Sequence, residues 1–125
     1  MITIEEFEAM NDATLNQKIA ETRGYEVVDL PFRKGYTLIY SGFALRDGTT
    51  EEAAWKGIPE WTSNAGAAID LFRDNYIEMS HGATGWWYVK VGGVIEHTSP
   101  DLCRSLCVLW LELQEMAKAK IVSMS

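Results

Sequence analysis

One stretch limits the chain more than any other. It opens at Ser99-Pro100 and places apolar side chains at Leu102, Leu106, Leu109, Trp110, Leu113 and Met116. That spacing puts them along one face of a helix. Cys103, Cys107 and Leu111 extend the apolar surface round a second side. Such a helix must cover a sheet, and its extra side favours contact with another copy of the chain, so a homo-oligomer is expected. It is not a membrane span. Leu102 to Leu113 is too short to cross a bilayer and carries Arg104 and Glu112. The Ser99 hydroxyl reads as the helix cap, Pro100 as the first helical residue and Asp101 as a favourable charge at the positive end of the dipole. The helix is expected to run to about Lys118.

The rest of the sequence supplies the elements this helix covers. Thr3 with Glu6 fits a capping box, opening a helix that carries Ile4, Phe7, Leu15 and Ile19 and that Asn11-Asp12 is placed to split. Gly24 ends it. Tyr25 to Leu30 and Tyr36 to Phe43 read as strands, and Asp47-Gly48 as a turn. Thr49 with Glu52 caps a short helix through Trp55, and Ser63 caps a small-residue helix from Asn64 to Asp74. Tyr76 to Met79 and Trp86 to Val91 pair as a hairpin, with Val94 to Glu96 as a short third strand. The expected fold is α+β, a small antiparallel or mixed sheet layered with helices. No repeat, linker or internal boundary is visible, so residues 1–125 read as one domain.

Composition excludes some functions. The net charge of −7 disfavours duplex nucleic acid as a partner, yet leaves room for a small anion in a local basic pocket. The first residues, Met1 to Glu6, lack the layout of a signal peptide, and no apolar run reaches membrane length, so no membrane association and a cytoplasmic location are expected. Cys103 and Cys107 stand four apart on one helix, a poor geometry for a disulfide, and read as two buried thiols. His81 and His97 are isolated from them, so neither a metal nor a cofactor is expected.

No catalytic constellation stands out: there is no G-x-S-x-G, P-loop or H-E-x-x-H. His97 beside Thr98 and Ser99 places an imidazole near hydroxyls, but neighbours in sequence rarely form a catalytic pair. Two features point instead to binding. Trp86, Trp87 and Tyr88 offer aromatic faces for a nucleobase, although at least one side of that strand must be core. Arg104, one turn into the last helix, offers a guanidinium near free backbone N–H groups and the Ser99 hydroxyl, a suitable phosphate site toward which Lys90 can point. The competing role for Arg104 is structural, its stem covering apolar surface.

Several segments together carry a family resemblance. They are Leu15 to Glu21, Pro59-Glu60-Trp61-Thr62-Ser63 before Ala65 to Phe72, Gly85-Trp86-Trp87-Tyr88-Val89, and His97-Thr98-Ser99-Pro100 followed by Leu102-Cys103-Arg104-Ser105-Leu106. The chain resembles the bacteriophage domain family called the phage ABA sandwich, close to the first type of Thoeris anti-defence proteins. The Cys103-Arg104 helix is the most specific part of the match. The resemblance implies a non-enzymatic sponge in the host bacterial cytoplasm. Such a protein sequesters a cyclic ADP-ribose-type signal or a cyclic oligonucleotide in pockets between subunits, with Arg104 on a phosphate. The alternative is a small phage accessory protein that inhibits a host protein through a protein–protein interface.

Overall fold

The computed structural model describes residues 2–93 and 95–124. The fold is α+β, with five helices and two three-stranded antiparallel sheets among these residues. The chain groups into two compact units, residues 1–15 with 60–125, and residues 16–59.

The 16–59 unit holds most of helix α2 (Asp12–Arg23), strands β1 (Glu26–Asp29), β2 (Tyr36–Tyr40) and β3 (Phe43–Gly48), and helix α3 (Glu51–Trp55). Gly24, at φ +101°, ends α2 as expected. The second strand expected through Phe43 is in fact a hairpin. Ser41 and Gly42 both take positive φ, and the chain reverses there, so Asp47-Gly48 closes β3 instead of marking the turn. Gly48 is required at that point: a Cβ would lie 2.5 Å from the Ala54 nitrogen. The cap of α3 is Thr50, not Thr49, with its hydroxyl accepting from the Ala53 N–H. Ile19, Ala20, Leu38 and Ala54 are buried in this unit.

The other unit contains α1 (Ile4–Glu8), α4 (Ala65–Asp70), the sheet β4 (Ile77–His81), β5 (Trp87–Val91) and β6 (Ile95–Ser99), and the long helix α5 (Leu102–Met124). The Thr3–Glu6 capping box is present. The break after α1 is present too, with Asn11 Oδ1 accepting from the Thr14 N–H at 2.8 Å to start α2. Helix α4 is shorter than expected and is capped by Asn64, not Ser63, because the Asn64 amide oxygen reaches the Ala67 N–H. Strand β6 reaches Ser99, further than the expected Glu96, while Val94 lies outside the described residues. Ser99 is therefore a strand residue opposite Trp87, and Asp101 caps α5: its carboxylate accepts from the Arg104 N–H at 3.1 Å and its carbonyl from the Ser105 N–H at 3.0 Å.

Helix α5 packs on β5 and β6 and also on α1 and α4. Every residue from Ser105 to Leu111 is buried, so Cys107 and Leu111 of the second apolar side are covered within the chain, while Cys103 stays half-buried. Cys103 and Cys107 are free thiols one turn apart. Burial, reinforced by the Cys103 thiol, pushes Cys107 up to about 12, so it is unreactive at neutral pH. No described helix is long and apolar enough to cross a membrane.

Further along α5, burial raises the Glu112 carboxyl above its ordinary value, with Glu115 and Glu5 adding to the shift. Its Oε2 is buried and has no hydrogen-bond partner among the described residues. The folded state thus holds this proton more tightly than the unfolded chain. The stabilisation from protonation is complete below the unfolded value and is lost as pH rises through the folded one. At pH 7 the ionised group opposes folding. Glu112→Gln is expected to raise the melting temperature at pH 7, with the gain vanishing in acid below the ordinary carboxylate range. Thermal melts across a pH series check this, and an unchanged or lower Tm at pH 7 contradicts it.

Candidate site at the start of helix α5

The pairing of β5 with β6 sets the geometry. Val89 stands opposite His97, Trp87 opposite Ser99, and Tyr88 opposite Thr98. Val89 and Val91 are buried, so His97 and Ser99 share the inner face of the sheet, while Tyr88, Lys90, Glu96 and Thr98 alternate to the outer one. A cleft of about 270 Å³ opens at this end of the sheet. It is lined by Trp86, His97, Thr98, Ser99 and Pro100 from the hairpin and strand end, Arg104 and Val108 from α5, and Glu8 from the end of α1.

Five of the eight residues expected at a site meet here: Trp86, His97, Thr98, Ser99 and Arg104. Trp86 lies just before β5 with its side chain 47% exposed, the form an aromatic platform would take. The other three are used elsewhere. Trp87 lies on the inner face and meets the His81 ring at a tilt of 33°, with ring centroids 4.6 Å apart. The Tyr88 hydroxyl donates to Glu96 Oε2 at 2.5 Å, a bond that raises the Tyr88 pKa with help from burial and from the charges of Glu96 and Glu78. Lys90 stands between Glu78 and Glu96 on the neighbouring strands. It lies on the outer face and does not line the cleft.

Arg104 has a different setting from the one expected of a phosphate ligand. One terminal nitrogen binds the Asp12 carboxylate; the other donates to the carbonyls of Glu8 at 3.2 Å and Met10 at 2.7 Å. Those carbonyls belong to the end of α1 and the turn after it, where helical carbonyls have no partner of their own. The guanidinium closes that turn onto α5. The N-terminal end of α5 is itself occupied by the Asp101 carboxylate rather than by Ser99.

The sequence gives no hint of the cleft's other polar network. The Glu8 carboxylate bonds His97 Nε2 at 2.5 Å, and His97 Nδ1 meets the Ser105 hydroxyl at 2.7 Å. The carboxylate accepts from Nε2–H, which frees Nδ1 to accept from Ser105. The group types are those of a serine–histidine–acid triad, but the arrangement cannot work as one. Ser105 has 0% exposure, sits within α5 and lies outside the cleft lining, so no substrate reaches its oxygen. The imidazole is also nearly enclosed, its side chain 11% exposed. The network therefore fixes the position of Glu8. Glu8 and His97 are 89 positions apart, and Glu8 reads in sequence as one more acid on a helix surface.

No group of three or more histidine, cysteine or acidic side chains suited to a metal occurs among the described residues. No family model, curated protein or solved structure matches the chain.

The Arg104 contacts lead to a direct expectation. Arg104→Ala strips two carbonyls and a carboxylate of their donor, and hydrogen bonds to charged groups are worth about 1.5–3 kcal/mol each. With Asp12 largely in water, a total loss of about 2–3 kcal/mol is expected, lowering Tm by roughly 6–12 °C. Arg104→Lys should recover little, since one ammonium cannot replace both ends of the planar fork. Chemical denaturation measures both variants; a wild-type midpoint for Arg104→Ala removes the clamp role.

Proposed function

We propose that this chain is a bacteriophage anti-defence protein that binds a small nucleotide signal, of the cyclic ADP-ribose type or a cyclic oligonucleotide, and sequesters it without converting it. In this reading it works in the host bacterial cytoplasm and starves an immune effector of its activator. The observation that carries the reading is the half-exposed Trp86 indole in a cleft beside the start of α5. An exposed indole stacks on a nucleobase whatever its sequence. The N–H donors that Arg104 does not use on α1 are the groups a phosphate would meet. Nothing in the cleft calls for chemistry: both imidazole nitrogens are engaged internally and Ser105 is sealed. A sponge needs ground-state affinity, not complementarity to a transition state. The resemblance to the phage ABA sandwich family points the same way.

The size of the cleft bears on assembly. At about 270 Å³ it falls just under the roughly 300 Å³ at which small-molecule sites usually begin, so it suits one base and its sugar rather than a whole cyclic dinucleotide. A homo-oligomer in which a second copy completes the pocket accounts for the remainder. Light scattering should then give a mass above the 14.1 kDa of one chain, and a clean monomer at micromolar concentration in the presence of ligand would remove this part of the reading.

A second reading has one observation in its favour. Phe32, Phe43 and Leu45 of the 16–59 unit are exposed, as they would be on a protein that inhibits a host protein by direct contact. One experiment separates the cases. The purified protein is mixed with cyclic ADP-ribose or a cyclic oligonucleotide, washed, heat-denatured and its supernatant analysed. A sponge releases intact ligand, an enzyme releases product, and a protein inhibitor releases neither. In the same assay Trp86→Ala should weaken binding by about 5- to 100-fold, the usual worth of a stacked base, with Tm nearly unchanged because the ring is half in water. Undiminished affinity in that variant would exclude Trp86 as the platform.

A further inference from the structure

The proposed function leaves one cleft group unused, and its chemistry does not suit a phosphate. Glu8 lines the cleft with its side chain 46% exposed. Its Oε1 is fixed by His97, which is fixed in turn by the buried Ser105. Its Oε2 has no partner among the described residues. A flexible surface acid loses rotamer freedom when it binds, whereas this one is already held. It is also an acceptor only, and a phosphate placed against it would be repelled. Whatever part of a ligand lies at Glu8 must bring hydrogen-bond donors.

Building on that reading of the cleft, we infer that Glu8 is a specificity-determining residue that accepts hydrogen bonds from the vicinal hydroxyls of a ribose whose base lies on Trp86. Both residues line the same cleft, and its volume suits a nucleoside. A carboxylate presents several lone pairs in one plane and can take two hydroxyls at once. His97 and Ser105 are positioning residues: they touch Glu8 directly or through one bond and meet the ligand only through it. A site that hydrogen-bonds a hydroxyl discriminates strongly against an analogue lacking it, because the carboxylate is then left desolvated and unpaired.

The test is a two-by-two comparison of wild type and Glu8→Gln with cyclic ADP-ribose and with its analogue lacking both 2′-hydroxyls. Binding is followed by calorimetry and by the Trp86 indole resonance. The glutamine variant keeps the shape of the side chain and can still accept from His97, and the bond from Arg104 goes to the Glu8 backbone carbonyl, so the fold should persist; its melting curve checks that. Wild type should bind the ribose form about 10-fold or more tighter than the deoxy form. Glu8→Gln should lose most of that preference, binding the ribose form more weakly than wild type and the deoxy form no more weakly. Ser105→Ala should reduce the preference part-way, a change in ratio that loss of stability alone would not produce. Equal weakening of both ligands in Glu8→Gln would overturn the role of Glu8 while leaving the sponge reading intact. Absence of any Trp86 response in wild type to either ligand would overturn both.

Discussion

The turn that closes α1 and opens α2 exposes carbonyls that no helix can satisfy, and the unit built from residues 1–15 and 60–125 resolves this with one guanidinium. Arg104 reaches from the first turn of α5 to Glu8, Met10 and Asp12. Because α5 also covers β5 and β6, the same helix ties the N-terminal segment to the sheet. Glu8 is held twice: its backbone carbonyl by Arg104 and its carboxylate by His97. The cleft exists because these ties bring the end of α1 up to the end of β6.

Much of the architecture was legible in the sequence because its signals are local. The Thr3–Glu6 box, the break at Asn11-Asp12, the Gly24 stop and the order of elements that makes the fold α+β all depend on residues a few positions apart. Errors came where two neighbours compete for one job. Thr49 and Thr50, Ser63 and Asn64, and Ser99 and Asp101 can each cap a helix, and the outcome depends on where the preceding segment ends. Ser99 is taken by the sheet, so the cap falls to Asp101. The β2–β3 hairpin was hidden for another reason. Ser41 takes positive φ beside Gly42, and Ser-Gly is a weaker turn signal than Asn-Gly or Asp-Gly.

The candidate site was legible only in part. Trp86, His97, Thr98, Ser99 and Arg104 lie close together in the sequence, and β5 pairing with β6 keeps them together in space. Strand alternation separates off Trp87, Tyr88 and Lys90, and no local pattern fixes which face is inner until the partner strand and α5 are placed. Glu8 and Ser105 had no signal at all. Their roles arise from α1 packing on α5, a long-range contact that neither periodicity nor motif spacing encodes.

The reach of that contact also constrains the order in which the molecule can be assembled. Arg104 and Asp12 are separated by 92 positions, and His97 and Glu8 by 89. The strands of the 16–59 unit, in contrast, pair with their immediate neighbours in sequence. During synthesis, β1 to β3 can pair as soon as they leave the ribosome, whereas α1 must wait for α5, which follows about 90 positions later. Until then Phe7, buried in the finished protein, has none of the α1–α5 contacts that will help cover it. Closing so long a loop adds an entropic cost and a delay. The N-terminal segment is thus the part of the nascent chain whose apolar side chains depend longest on chaperones or on dilution to stay unaggregated.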